Sequence, residues 1–415
     1  MLVGAIADDL TGATDLGLML VRAGLRVIQC VGVPQSKLPD NNSQAIIVSL
    51  KSRTIPPEDA VSQSLAALAF LVSSGANRFM FKYCSTFDST DQGNIGPVID
   101  ALMNQLGETR SIACPAMPAN GRTVYQGHLF VGCSLLSESS MKDHPLTPMR
   151  DANLVRVLQR QSRHSVSLVP HELVAKGAAE LEARFSDLEG VAIVDAIDDA
   201  DLIRIGKAAR NLKLVTGGSG IGLGLAANFP PEEIEVAPVS IVPASGDAVV
   251  LAGSCSAATR RQIALAAAAG VPTMRIFPAS LHSGETTIAD AVDFVRSADG
   301  ARPPILYSSA EPDEVAQAQQ MLGQESAGAL IEQFLAEVAR VLLDSGTSRF
   351  IVAGGETSGA VTHSLGADTL IIGPEIDPGV PWTSFKHRGR TIALCLKSGN
   401  FGSDNFLLKA WDQLK

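Results

Sequence analysis

Aromatic residues are scarce in this chain, at 5% of 415 residues, while alanine and glycine abound. That balance suits helices laid closely on a parallel sheet. Positive charge is also in deficit, with 33 Lys and Arg against 43 Asp and Glu and a formal net charge of -10. A polyanionic surface gains nothing from nucleic acid or an anionic membrane, so neither is an expected partner and any anion must be held by local cations. No run approaches the ~18 apolar residues of a membrane span. Residues 1 to 20 lack a basic stretch before an apolar core, and Asp8, Asp9 and Asp15 interrupt what an export signal would need. A reducing cytoplasm with free thiols is the expected home.

Other absences narrow the chemistry. Cys30, Cys84, Cys114, Cys133, Cys255 and Cys395 are scattered, with no CxxC pair and no histidine at ligand spacing, so structural zinc is not expected. The seven histidines form no HxH or HExxH pair and read as structural or solvent-facing. There is no GxxxxGK followed by Ser or Thr, no HRD or DFG element and no GxSxG elbow. Those gaps exclude the P-loop, the protein-kinase fold and the hydrolase serine.

What is present is a globular chain, 46% apolar and 18% charged, too long for one core, so two domains are expected. An apolar strand, a turn rich in small polar residues and a helix recur at five places. The strands are Leu2–Ala7, Arg78–Lys82, Leu212–Thr216, Ala248–Ala252 and Arg349–Ala353. This alternation predicts an α/β fold: two three-layer α/β/α domains with largely parallel sheets and a cleft between them. Prolines between Phe229 and Asp247 mark the linker, giving domains over 1–235 and 245–415. Asn120-Gly121-Arg122, between residues 116 and 148, signals a turn in a hairpin or long loop over the site.

The most telling stretch is Asp8-Asp9-Leu10-Thr11-Gly12-Ala13-Thr14-Asp15, directly after the first strand. Ligands of open α/β sheets sit beyond the carboxyl ends of strands, so Asp8 and Asp9 are candidate catalytic acids, unless one simply caps the following helix. Arg53, after the strand Ala45–Leu50, and Lys82, at another strand end, would suit an acidic substrate through a guanidinium fork and a point charge. Ser85, Thr86 and Asp88 add hydroxyls and an acid; the alternative is a surface salt-bridge cluster. In the second half, Gly253-Ser254-Cys255-Ser256, Gly354-Gly355-Glu356-Thr357-Ser358-Gly359 and Lys397-Ser398-Gly399-Asn400-Phe401-Gly402 follow strands. Free amides at such turns attract phosphate, which suggests a nucleotide pocket, although small residues also serve close packing. Gly222, Gly224 and Ala227 form a weak GxGxxA better explained by helix packing. It keeps open an NAD-dependent oxidoreductase, as a binding protein for acidic sugars also stays open.

Ala7-Asp8-Asp9-Leu10-Thr11-Gly12-Ala13, Lys51-Ser52-Arg53, Lys82 to Thr90 with Gly93-Asn94-Ile95-Gly96-Pro97, and Gly354 to Ser358 together resemble the four-carbon acid sugar kinase family over nearly the whole chain. The forms of Tyr83 to Thr90 and Lys397 to Gly402 look like its branch acting on 3-oxo-tetronate. The resemblance implies a sugar-acid-binding N-terminal domain, with Asp8, Arg53 and Lys82 near the substrate and Asp9, Ser85, Thr86 and Asp88 beside them. It implies a C-terminal domain holding ATP through Ser254, Gly354, Gly355, Glu356, Thr357, Ser358 and Gly399, and Ser256, in the same turn as Ser254, is a further candidate contact. Phosphoryl transfer to the 4-hydroxyl would use Mg²⁺, with Asp8 or Asp9 accepting the proton. The ligands of Mg²⁺ and the oligomeric state, including a homo-oligomer, are left open.

Overall fold

Short apolar runs set the strands, and polar or proline-bearing turns set where the helices begin. The computed structural model describes residues 2–36, 38, 43–144, 146–230, 234, 246–298, 302–310, 314 and 324–414. The chain divides into two compact units, Met1–Ala237 and Pro238–Lys415. Most of the proline-rich linker expected between Phe229 and Asp247 lies outside the described residues.

The first unit contains β1 (Val3–Ala7), β2 (Val27–Val31), β3 (Ala45–Ser49), β4 (Arg78–Lys82) and β5 (Arg110–Cys114). A short meander follows, β6 (Arg122–Tyr125), β7 (His128–Val131) and β8 (Ser134–Leu135), then β9 (Val166–Val169), β10 (Gly190–Val194) and β11 (Leu214–Gly217). Except for the meander these strands form parallel pairs in the order β2-β3-β1-β4-β11-β5-β10-β9. β1, β3 and β10 are buried along their whole length, as strands covered on both faces are. Helices α1 (Leu10–Arg22), α2 (Pro57–Ser73) and α3 (Ile95–Leu106) follow β1, β3 and β4.

Strand order changes direction at β1, with β3 and β2 to one side and β4 to the other. The carboxyl ends of β1 and β4 therefore form a topological switch point, the usual ligand crevice of such sheets. The meander turns elsewhere than expected. Asn120-Gly121 ends a short 3₁₀ turn before β6, and the β6–β7 hairpin closes at Gln126-Gly127, both with positive φ, as a two-residue hairpin requires. Asp195, after β10, fixes that hairpin by accepting the Gln126 and Gly127 N–H groups at 2.6 and 2.9 Å.

The second unit contains β12 (Ala248–Ala252), β13 (Thr273–Arg275), β14 (Ile305–Tyr307), β15 (Arg349–Ala353), β16 (Thr369–Asp377), β17 (Val380–His387) and β18 (Arg390–Lys397). Their order is β13-β14-β12-β15-β18-β17-β16. The first five in that order run parallel, while β17 is antiparallel to both neighbours. β12 and β15 flank the second switch point, and their turns are two of the glycine-rich ones. Trp382, fully buried on β17 with its indole N–H on the Ala410 carbonyl at 2.9 Å, anchors the core beneath.

Candidate active site

The ladder of β1 continues into the site. Asp8 N–H donates to the Lys82 carbonyl at 3.1 Å and Ser52 N–H to the Asp8 carbonyl at 3.0 Å, which fixes three separate turns together. The two adjacent acids then divide their roles. Asp9 is the N-cap of α1, its carboxylate accepting the Gly12 N–H at 3.1 Å and the Thr11 hydroxyl at 2.8 Å. Asp8, only 5% exposed, meets the Arg53 fork with both oxygens, Nε to Oδ2 at 2.9 Å and Nη2 to Oδ1 at 2.8 Å. Arg53 Nη2 also donates to Asp9 Oδ1 at 2.6 Å, and Lys82 Nζ lies 3.4 Å from the same oxygen.

Asp88 completes the group, its Oδ2 3.8 Å from Arg53 Nη1 and beyond hydrogen-bond reach, and its Oδ1 accepting the Thr86 hydroxyl at 2.6 Å. Ser85 is half-buried in the same turn. Lys82 is 4% exposed, so this is a buried cluster and the surface salt-bridge alternative falls. Burial pushes the Asp8 carboxyl above its ordinary value, with Arg53 pulling against it. Burial acts on Asp9 in the same sense, but Arg53, Lys82 and the cap hydrogen bonds outweigh it and hold that carboxyl well below the usual range. Burial disfavours the Lys82 ammonium, and Asp9 and Asp8 more than restore it. Of the two acids, Asp8 is the more basic.

Three supporting residues were not assigned roles from the sequence. Buried Asn94 donates its amide to the Ser52, Arg53 and Ile55 carbonyls at 2.7, 3.2 and 2.9 Å, which clamps the turn carrying Arg53. Gly12 makes room for Lys82, since a Cβ there would stand 1.8 Å from Nζ. Phe87 holds a left-handed backbone with φ 60° while its fully buried ring packs edge-on against Tyr83. Such strain persists only where packing enforces it.

The second unit offers a cavity of about 570 Å³, within the range of small-molecule sites. Ser254, Gly354, Gly355, Glu356, Thr357 and Gly399 line it. Gly354 precedes the helix Gly355–Ser364, whose first amides lack helical partners and suit an anion. The lining also includes the apolar Ile276, Phe277, Pro278 and Ile331. Arg275 stacks on Phe277 at 4.7 Å and pairs with Glu314 at 2.7 Å. A cavity lined by both small polar turns and apolar side chains can accept phosphates and a base. Ser256 does not line it; its hydroxyl caps the helix Ala257–Ala268 and donates to the Gly399 carbonyl at 2.5 Å. Ser358 is fully buried behind the wall.

The glycines of the weak GxGxxA serve packing. A Cβ on Gly224 would stand 2.3 Å from the Leu202 carbonyl and 2.8 Å from Gly206 Cα. Among the described residues no three His, Cys, Asp or Glu side chains gather as a metal site, and no helix is long and apolar enough to cross a membrane.

An acid-and-cation cluster at one switch point and a cavity at another mark a two-unit α/β protein with a candidate small-molecule site in each half. A family model described as a sugar-binding N-terminal domain matches residues 3–225, and one described as a nucleotide-binding C-terminal domain matches residues 249–407. The chain belongs to the four-carbon acid sugar kinase family. A curated 3-oxo-tetronate kinase of Burkholderia multivorans is 52% identical over 99% of this chain and 96% of that protein. One of Pseudomonas savastanoi pv. phaseolicola is 50% identical over 100% of this chain and 97% of the relative. Among solved structures, a Salmonella typhimurium LT2 protein superposes with a TM-score of 0.89 at 41% identity, covering 100% and 99% of the two chains. A Haemophilus influenzae protein does so at 0.80 and 40%, covering 99% and 100%.

Proposed function

We propose that this chain is a cytoplasmic kinase that transfers the terminal phosphoryl group of ATP to the 4-hydroxyl of 3-oxo-tetronate, giving 3-oxo-tetronate 4-phosphate. The observation that carries the reading is the buried meeting of Asp8, Arg53 and Lys82 at a switch point. That grouping supplies a base beside cations suited to a small acid. The names of the full-length relatives support both the reaction and the substrate.

Asp8 accepts the proton of the 4-hydroxyl, because Asp9 is committed to the α1 cap and held ionised by two cations. Arg53 presents its Nη1 edge, and Lys82 its charge, to the carboxylate of the acid. In the second unit the Gly354-Gly355 turn and Gly399 take the phosphates and the apolar side chains take the base. The reaction would use a Mg²⁺ ion. Glu356, exposed on the cavity in the first turn of a helix that favours anions, would repel bare phosphates and is suited to hold that ion. When bound, Mg²⁺ neutralises phosphate charge.

A reading as an NAD-dependent oxidoreductase loses its fingerprint to the Gly206–Gly224 packing. The test is ADP release with threonate, erythronate and their 3-oxo forms. Activity with none of them refutes the proposal. Asp8→Asn should lower kcat by two or more orders of magnitude, in line with about 10²–10⁴ for a general base, and weaken binding of the acid far less than that. Unchanged turnover removes Asp8 from the role.

A further inference from the structure

Lys397, the last residue of β18, is fully buried, and its partners among the described residues are all neutral oxygens. Its ammonium donates to the Thr259 hydroxyl at 3.1 Å and to the carbonyls of Ser398, Gly399 and Phe401 at 3.1, 3.0 and 3.1 Å. Beside it, the buried Gln262 amide donates to the carbonyls of Phe401, Gly402 and Ser403 at 3.1, 2.9 and 3.1 Å. Five successive or near-successive carbonyls of one glycine-rich loop are thus turned inward by two side chains.

In a trans peptide the C=O and the next N–H point in opposite directions. Drawing the carbonyls of Ser398, Gly399 and Phe401 inward therefore turns the N–H groups of Gly399, Asn400 and Gly402 outward. Gly399 lines the cavity of the second unit, and a Cβ there would stand 2.4 Å from the Ser254 hydroxyl, so the loop is pressed directly against the first glycine turn. The carbonyl of Lys397 itself accepts the Gly354 N–H at 2.9 Å. One residue ties two of the cavity's loops at their base.

We propose that Lys397 is the positioning residue of the nucleotide site, gathering the 398–402 loop from behind the wall so that its outward amides form an anion-binding concavity. This rests on the reading of that cavity as the ATP site. Outward-facing successive amides are a recurrent way to hold phosphate. Burial draws the Lys397 ammonium down to about 8, so the charge is incompletely compensated by its neutral acceptors. A polyanion across the wall would supply the missing compensation.

The test compares ATP binding by titration calorimetry, and both KM values, in the full-length wild type, Lys397→Met and Thr259→Val. Lys397→Met should raise the ATP Kd and KM about tenfold or more, the effect of losing about 1.4 kcal/mol of binding, with the KM for the sugar acid unchanged. A lysine needed only for folding would lower the active fraction, and so kcat, while leaving both KM values in place. Thr259→Val removes one ammonium acceptor and one donor to the Gly399 carbonyl; it carries the test at about threefold if Lys397→Met does not accumulate folded. An unchanged ATP Kd in folded Lys397→Met, or in Thr259→Val where that variant stands in, overturns the inference. Wild-type protein that binds no ATP instead overturns the nucleotide reading beneath it.

Discussion

Gly12→Ala asks whether the site depends on a missing side chain. In an ordinary helix interior this replacement gains up to about 1 kcal/mol, because alanine loses less backbone freedom. Here the added methyl would stand 1.8 Å from Lys82 Nζ and 2.2 Å from Asp9 Oδ1. To regain ordinary contact the ammonium must retreat by about 1.6 Å, since close-packed interiors give little elsewhere. That retreat separates Lys82 from Asp9, now 3.4 Å apart. Misplacing a binding group by about 1 Å can lower the rate about a hundredfold, or about 2.7 kcal/mol in the barrier. The expected result is a fall of that size in kcat/KM for the sugar acid with an unchanged KM for ATP. Breaking a buried ion pair outright costs about 3–5 kcal/mol; Asp9 retains Arg53, so a net loss of about 1–2 kcal/mol in stability is expected after the helix gain. Steady-state ADP release and thermal melting measure both. A Gly12→Ala protein that melts higher than wild type with normal kinetics refutes the account of Lys82.

Asn94→Ala leaves the carbonyls of Ser52, Arg53 and Ile55 without their common donor, so it should destabilise by about 1–3 kcal/mol. It should also raise the KM for the acid by freeing Arg53; hydrogen exchange at residues 52–55 that stays as slow as in wild type argues against the clamp. The folded Asp9 carboxyl titrates below its unfolded value of 3.8, so its stabilising charge is complete above that pH and lost as pH falls below it. Asp9→Asn should flatten the acid limb of the stability curve there, and an unaltered limb contradicts the assignment. Lys397 titrates near 8 when folded and near 10.5 when unfolded. Between those values the unfolded chain holds more protons, so stability should climb with pH, by up to about 3 kcal/mol. Denaturant titrations at pH 8 and pH 10 should show this rise in wild type and its absence in Lys397→Met.

Features written in consecutive residues were legible before the structure. Arg78–Lys82, Ala248–Ala252 and Arg349–Ala353 are strands over the spans read from their apolar runs, and the acid pair after β1 announced a site because adjacent acids at a strand end rarely serve packing. Its ambiguity between cap and catalyst needed coordinates: only the direction of the Asp9 side chain toward Gly12 N–H separates the two. The roles of Asn94 and Lys397 leave no mark in the sequence, since each works on main-chain carbonyls that carry no side-chain signature. The hairpin was placed at Asn120-Gly121 by composition, but Gln126 accepts φ 50° at the actual turn because Asp195 captures its N–H. A contact across so many residues leaves no local trace. The antiparallel β16 and β17 were likewise missed, because strand direction is decided by connection length rather than by residue type.

Phe87 also bears on what keeps its turn in shape. Its backbone angle favours glycine, yet its ring fills a fully buried place against Tyr83. Glycine would relieve about 1 kcal/mol of strain and forfeit about 3–5 kcal/mol of ring packing. Any other large side chain would keep the strain and fit the space less well. Backbone relief and ring packing thus oppose each other at Phe87, and the packing is the larger, so the turn that carries Thr86 and Asp88 holds its strained shape at a net gain.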